Sequence, residues 1–154
     1  MATYSVSLPG NWWFHKNESL DQIQICSIGS GKCTGTGGGF PLAGALFITL
    51  TPVDNLPDHQ QYTAVGDIVS TIPHAGMPAP AVSRVELGSG GGSRECQVAR
   101  SLLFDALWDD VYGLSVNGRL FRVWAQYNRN PKMDAANRIK VVGILSSVSV
   151  HTER

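Results

Sequence analysis

The residues of this chain equipped for chemistry are three cysteines, four histidines, a lysine in a glycine-rich stretch, a run of carboxylates and four tryptophans. Cys26 or Cys33 with one of His15, His59, His74 or His151 would make a small Cys/His hydrolase. That chemistry needs a nucleophile within hydrogen-bond reach of a base, and a third group to orient the base. No motif in the sequence places such a pair together. An odd cysteine count, Cys26, Cys33 and Cys96, excludes complete internal pairing. Cys26 and Cys33 are close enough in sequence to close a loop by disulfide in an oxidising compartment. The plain alternative is three thiols buried or idle. Cys96 is expected to lie apart from the other two and to be buried.

The stretch from Gly29 to Gly39 invites a phosphate-loop reading and fails it. A Walker A loop needs Gly, four residues, then Gly-Lys-Ser/Thr. Gly31-Lys32 is present, but Cys26 stands at the first glycine position and Cys33 at the hydroxyl position. No amphipathic helix follows to offer its N-terminus to a phosphate. A dinucleotide fingerprint fails at Thr34, which replaces the third glycine. The segment reads as a loop between strands. Asp105, Asp109 and Asp110 flank Trp108 and could attract a hard cation, but without EF-hand spacing they read as a solvated loop. No metal and no cofactor are expected.

Trp12, Trp13, Trp108 and Trp124 are the candidate binding residues. Tryptophans in a small domain mostly fill core, and those that reach the surface are common interface anchors. Charge offers no competing partner. Lys+Arg and Asp+Glu are both 12, so the formal net charge is zero. That balance leaves no basic footprint for nucleic acid or an anionic membrane. No apolar run reaches membrane-spanning length. At 154 residues the chain is expected to be one domain, 1–154.

The elements that must position these residues are organised around Val111 to Tyr127. Asn117-Gly118 between two apolar-rich runs is the preferred loop of a type I′ hairpin. That loop sets Val116 against Arg119, Leu114 against Phe121 and Tyr112 against Val123. One face then carries Tyr112, Leu114, Val116, Phe121, Val123, Ala125 and Tyr127. The other is mixed, with Val111, Gly113, Ser115, Leu120, Arg122, Trp124 and Gln126. A slip by one residue would exchange the faces, so the register should be firm. The hairpin is expected at the middle of an antiparallel sheet. Thr3 to Leu8, Asp21 to Ile28, Ala45 to Thr51, Val82 to Leu87 and Glu95 to Phe104 read as further strands. Gly88 to Ser93 reads as a flexible turn, and His74 to Ala81 as an extended connection.

Two helices are expected. Asp58 opens the first as N-cap with Gln61 as its return partner, and Tyr62, Val65, Val69 and Ile72 recur at helical spacing up to Pro73. Asn130-Pro131 opens the second, with Ala135, Ile139, Val142 and Leu145 along one stripe, widened by Val141, Ile144 and Val148. Ser147 to Val150 runs on as a short strand or a tail. Helices that close runs of strands point to α+β architecture with an antiparallel sheet. An all-β sandwich follows instead if the Asp58 to Ile72 segment is not a helix.

The opening YSVSLPGNWW, the late hairpin of long strands and the closing ILSSVSV resemble the PsbP-like superfamily. The resemblance implies a central antiparallel sheet packed between helices, an αβα sandwich. It also implies a non-catalytic life, shared by fold but not by one function. The expected function is a non-catalytic binding or assembly module acting through protein–protein contacts. A small-molecule or lipid carrier with a pocket under the tryptophans, and a small Cys/His hydrolase, are the alternatives. The expected location is extracytoplasmic, secreted or periplasmic, in preference to cytoplasmic.

Overall fold

The computed structural model describes residues 2–33, 41, 44–70, 80–88 and 92–152. At the centre of its larger sheet are β7 (Leu107–Val116) and β8 (Arg119–Asn128). Their register pairs Val116 with Arg119, Leu114 with Phe121 and Tyr112 with Val123, as the Asn117-Gly118 loop dictates. Asn117 and Gly118 take φ of 50° and 84°, the left-handed pair that a type I′ turn requires.

Both strands run further than the sequence suggested. Trp108 pairs with Tyr127 and Asp110 with Ala125. The segment 105–110, expected to be a solvated loop, is therefore largely the start of a central strand. The turn is confined to its beginning, where Phe104 and Asp105 take φ of 54° and 56°. Pairing to strands on both sides outweighs the polar local composition.

Outward from this pair lie β6 (Arg94–Leu103) and β5 (Ala81–Arg84) on one side. On the other lie β4 (Leu46–Pro52), β3 (Gln22–Cys26) and β2 (Trp13–Asn17). The order is β2-β3-β4-β8-β7-β6-β5, with every neighbouring pair antiparallel. A second sheet pairs β1 (Ala2–Ser5) with β9 (Ser149–Thr152), joining the two ends of the described chain.

The expected helix from Asp58 to Ile72 does not form as such. Asn55 ends one 3-10 turn, residues 59–61 make another, and Tyr62 is extended. Among the described residues helix α1 occupies Val65–Ser70, and Ile72 lies outside them. The Asp67 carboxylate accepts hydrogen bonds from the Thr63 and Ala64 N–H groups and the Thr63 hydroxyl, which starts the helix there. The apolar spacing was meaningful even so: Tyr62, Val65, Ile68 and Val69 are all buried. The close approach to the sheet depends on Gly113, where a Cβ would sit 2.5 Å from the Val65 carbonyl oxygen.

Helix α2 (Asp134–Ser146) begins three residues after Pro131. The Asp134 carboxylate accepts from the Asn130 N–H, and the Asn130 side chain accepts from the Lys132 N–H. The buried stripe is Asn137, Val141, Ile144 and Leu145, continued by Val148. Ala135 and Ile139, expected inside, are exposed, Ile139 by 72%. The later helix start does not change a residue's angular position. The buried stripe is rotated away from Ala135 and Ile139, which face solvent.

These findings overturn the α+β, αβα reading. The described residues are mostly β, in antiparallel sheets of seven and two strands, with one helix of more than two turns. The two-stranded sheet and α2 lie together over one face of the large sheet, in a sandwich-like, mostly β arrangement. Tyr4, Val6, Leu8 and Val150 from the small sheet and its flank meet Val141, Ile144 and Leu145 from α2 in one apolar core. Among the described residues, α1 and two 3-10 turns cover only part of the opposite face and do not amount to a helical layer.

Candidate functional site

Strand alternation divides the large sheet into a covered face and an open one. The covered face holds Ile25, Ile48, Leu50, Val98, Leu114, Phe121, Val123 and Ala125, all 0% exposed. It also holds a buried polar network. The Tyr127 hydroxyl donates to Asp110 Oδ2 at 2.7 Å and accepts from Arg138 Nε at 3.0 Å. Arg100 Nε lies 3.6 Å from the same carboxylate oxygen. Burial pushes the Asp110 carboxyl up to about 6, against the opposing pull of Tyr127, Arg100 and Arg138. Burial likewise pushes the Cys96 thiol up to about 12 and raises Tyr112 and Tyr127. Asp110 is fully enclosed, so this network can hold a proton but cannot meet a substrate.

The open face carries Gln22, Gln24 and Cys26 from β3. Beside them stand Phe47, Thr49 and Thr51 from β4, then Arg122, Trp124 and Gln126 from β8. Cross-strand pairing aligns Gln24 with Thr49 and Thr49 with Trp124, and aligns Phe47 with Gln126. Except for Cys26, these residues line a groove of about 320 Å³, within the range of small-ligand sites. Trp124 is 41% exposed. The Arg122 guanidinium stands 4.9 Å from the centre of its indole, a cation–π contact that steadies both side chains. Gln22 Nε2 donates to Thr51 Oγ1 at 2.8 Å. The carboxamides of Gln24 and Gln126 have no hydrogen-bond partner among the described residues.

The four tryptophans fall on different sides of this division. Trp13 and Trp124 share the open face. Trp13 stacks on His15 with ring centres 6.0 Å apart and packs against the cluster of Cys26, Cys33 and Ala45. Trp12 packs into the main core. Trp108 lies on the covered face, where Nε1 donates to Asp134 Oδ2 at 3.0 Å and Arg138 stands 4.6 Å from the ring.

Cys26 and Cys33 are joined by a disulfide at the end of β3, while Cys96 is free and buried elsewhere. A disulfide leaves neither sulfur as a thiol nucleophile. Among the histidines, His59 Nδ1 is 2.9 Å from the Leu56 carbonyl oxygen and His151 Nε2 is 3.2 Å from Ser5 Oγ. His74 lies outside the described residues, as do most of the segment 74–81, residues 34–39 of the glycine-rich stretch and residues 89–91 of the Gly88 to Ser93 turn. The carboxylates flanking Trp108 are dispersed: Asp109 and Asp110 alternate between the two faces, and Asp105 pairs with Arg129. Among the described residues no group of three or more His, Cys, Asp or Glu is placed to hold a metal ion.

A larger depression of about 460 Å³ lies between the Asn117-Gly118 turn and the 3-10 turns. Its polar side chains are already matched. Arg119 faces Asp54 at 3.6 Å and Asp21 at 3.8 Å, and the Tyr62 hydroxyl donates to Asp58. The Asn117 side-chain Oδ1 accepts from the Ser93 N–H. It offers a ligand little that the protein does not already use.

Sequence reasoning named Trp124 but passed over Arg122, Gln126 and Gln24. The hairpin alternation already put Arg122, Trp124 and Gln126 on one face. Gln22, Gln24 and Thr49 carried no such signal, because their neighbourhood depends on β4 pairing with β8, strands far apart in the chain.

No family model matches the chain, and no curated protein matches it. Among solved structures it is similar to LpqN, described as involved in cell envelope biogenesis of Mycobacterium tuberculosis. Identity is 11% and the TM-score 0.45, over 99% of this chain and 85% of that one. Neither a common fold nor a common function follows from a likeness at that level. The PsbP-like resemblance of the opening and closing segments gains no support from any of the three comparisons. Among the described residues no helix is long and apolar enough to cross a membrane.

Proposed function

We propose that this protein is a non-catalytic binding module that receives its partner on the open face of the seven-stranded sheet. The observation that carries this reading is the groove over β3, β4 and β8, where an exposed indole and two carboxamides without a partner among the described residues stand on paired, rigid strands. Rigid elements hold binding groups more accurately than loops do, and carboxamides not tied to other side chains are free to turn a donor and an acceptor to a partner. Contact between proteins remains one use of such a face, with Trp124 and Arg122 as the anchor types enriched in interfaces. We take residues 1–154 to form one domain and the compartment to be extracytoplasmic. The second reading draws its support from the Cys26–Cys33 disulfide, since such bonds persist in oxidising compartments.

The test is to titrate the isotopically labelled protein with fractionated extract of its native source and follow the amide resonances. Shifts confined to β3, β4 and β8, and lost in Trp124→Ala, are expected. Shifts confined to α2 or to β1 and β9 overturn the assignment of the face. Turnover of any ester, amide or glycoside substrate that a single histidine or cysteine change abolishes in a folded protein overturns the non-catalytic reading.

A further inference from the structure

Resting on the open face as the binding surface, we infer that its ligand is a neutral oligosaccharide, laid across the strands from β8 toward β2.

The chemistry of the lining selects this class. A pyranose ring has an apolar C–H face and a rim of hydroxyls that donate and accept at once. An exposed indole offers an electron-rich plane for the C–H face. Carboxamides offer a donor and an acceptor side by side, which suits neighbouring hydroxyls. The groove provides both within one patch: Trp124 at β8, Gln126 beside it and Gln24 two strands away. Thr49 adds a hydroxyl between them, and Arg122 adds fixed N–H donors next to the indole. The groove lining includes no carboxylate and a single cation, so it is built neither for a polyanion nor for a cationic ligand.

Other occupants fit less well. An acyl chain needs a continuous apolar enclosure, and Phe47 and Trp124 are the only large apolar side chains in the lining. A peptide adding itself as a strand needs an unpaired strand edge. Here β3, β4 and β8 are each paired on both sides, so their backbone groups are already used. What remains on offer is side-chain chemistry alone.

The direction follows from the second aromatic station. Trp13 and His15 stack on each other on the same face of β2, three strands from Trp124. Three strand spacings amount to about 14 Å, a distance that asks for linked rings and not for one. Gln24 and Thr49 lie in the row between His15 and Trp124.

The experiment screens the intact chain on an array of neutral oligosaccharides and measures each hit by calorimetry and tryptophan emission. At least one oligosaccharide should bind, with a change in emission, and its tetramer should bind more tightly than its monomer. Trp124→Ala should weaken that binding about tenfold or more. Gln24→Ala and Gln126→Ala should each weaken it several-fold, which keeps the test valid if Trp124→Ala unfolds. Trp108→Phe should leave it unchanged. An array with no hit, or a hit insensitive to Gln24→Ala and Gln126→Ala, overturns the inference. If no sugar binds but a polypeptide shifts the amide resonances of β3, β4 and β8, the saccharide assignment falls while the binding face stands. If a sugar binds and shifts only residues elsewhere, both fall.

Discussion

The two faces of the seven-stranded sheet are made by the same strands and differ by one residue in register. Along β8, Phe121, Val123, Ala125 and Tyr127 point to the covered side and are fully buried, while Arg122, Trp124 and Gln126 point to the open side. The covered face is closed by α2, β1 and β9, and its polar groups are tied to one another in the Asp110–Tyr127–Arg138 network. Among the described residues, the open face is only partly capped by α1, and the Gln24 and Gln126 carboxamides have no hydrogen-bond partner. One side is buried and the other stays accessible, and the proposed binding role falls on the accessible side. A side chain's consequence should therefore depend on its parity in the strand more than on its chemical type.

Substitutions on the two faces can break that contrast. The largest effect is expected for Phe121→Ala, which removes a fully buried ring packed edge-on against Tyr4. It should destabilise the fold by about 3–5 kcal/mol in denaturant unfolding, leaving any ligand affinity of the folded fraction intact. A loss below about 1 kcal/mol would show that the covered face is not the stabilising core.

Next comes the pH dependence of the covered face. The folded Asp110 carboxyl, raised to about 6, holds its proton more tightly than the unfolded group at its ordinary value of 3.8. Its contribution to stability is fully present below 3.8 and is lost as pH rises through about 6. Asp110→Asn should flatten the stability profile across that window by an amount on the order of 3 kcal/mol. Identical profiles for wild type and variant would mean that the carboxyl is not held in a desolvated site.

The disulfide at the rim of the open face should matter slightly less. Cys33→Ser opens a loop with a sequence separation of 7. The expected cost is about 2.5 kcal/mol in the chain-entropy description. Thermal unfolding with and without reductant measures it, and ligand binding measured in the same samples should persist. Binding abolished in a folded Cys33→Ser protein would revive a thiol role. The smallest stability effect, below about 1 kcal/mol, is expected for Trp124→Ala, since a half-exposed ring has little burial to lose. If it unfolds the protein as Phe121→Ala does, the open face is core and the contrast fails.

The sequence by itself determined whatever depends on near neighbours. Asn117-Gly118 demands positive φ at two successive positions, and that turn sets the register and both faces of the central hairpin. Apolar spacing identified Tyr62, Val65 and Val69 as buried, though it could not see that Tyr62 would be extended and that Asp67 would start the helix late. Tertiary structure decided the rest. Trp108, Asp109 and Asp110 became strand because partners lie on both sides of them, and no local pattern of three polar-flanked residues announces that. Among the described residues, one six-residue helix and two 3-10 turns did not add up to a layer, so the sheet kept an open face. The candidate site exists only because β3 and β4 dock beside β8. Gln24, Thr49 and Trp124 are far apart in the chain and meet through backbone hydrogen bonds that carry no side-chain signature.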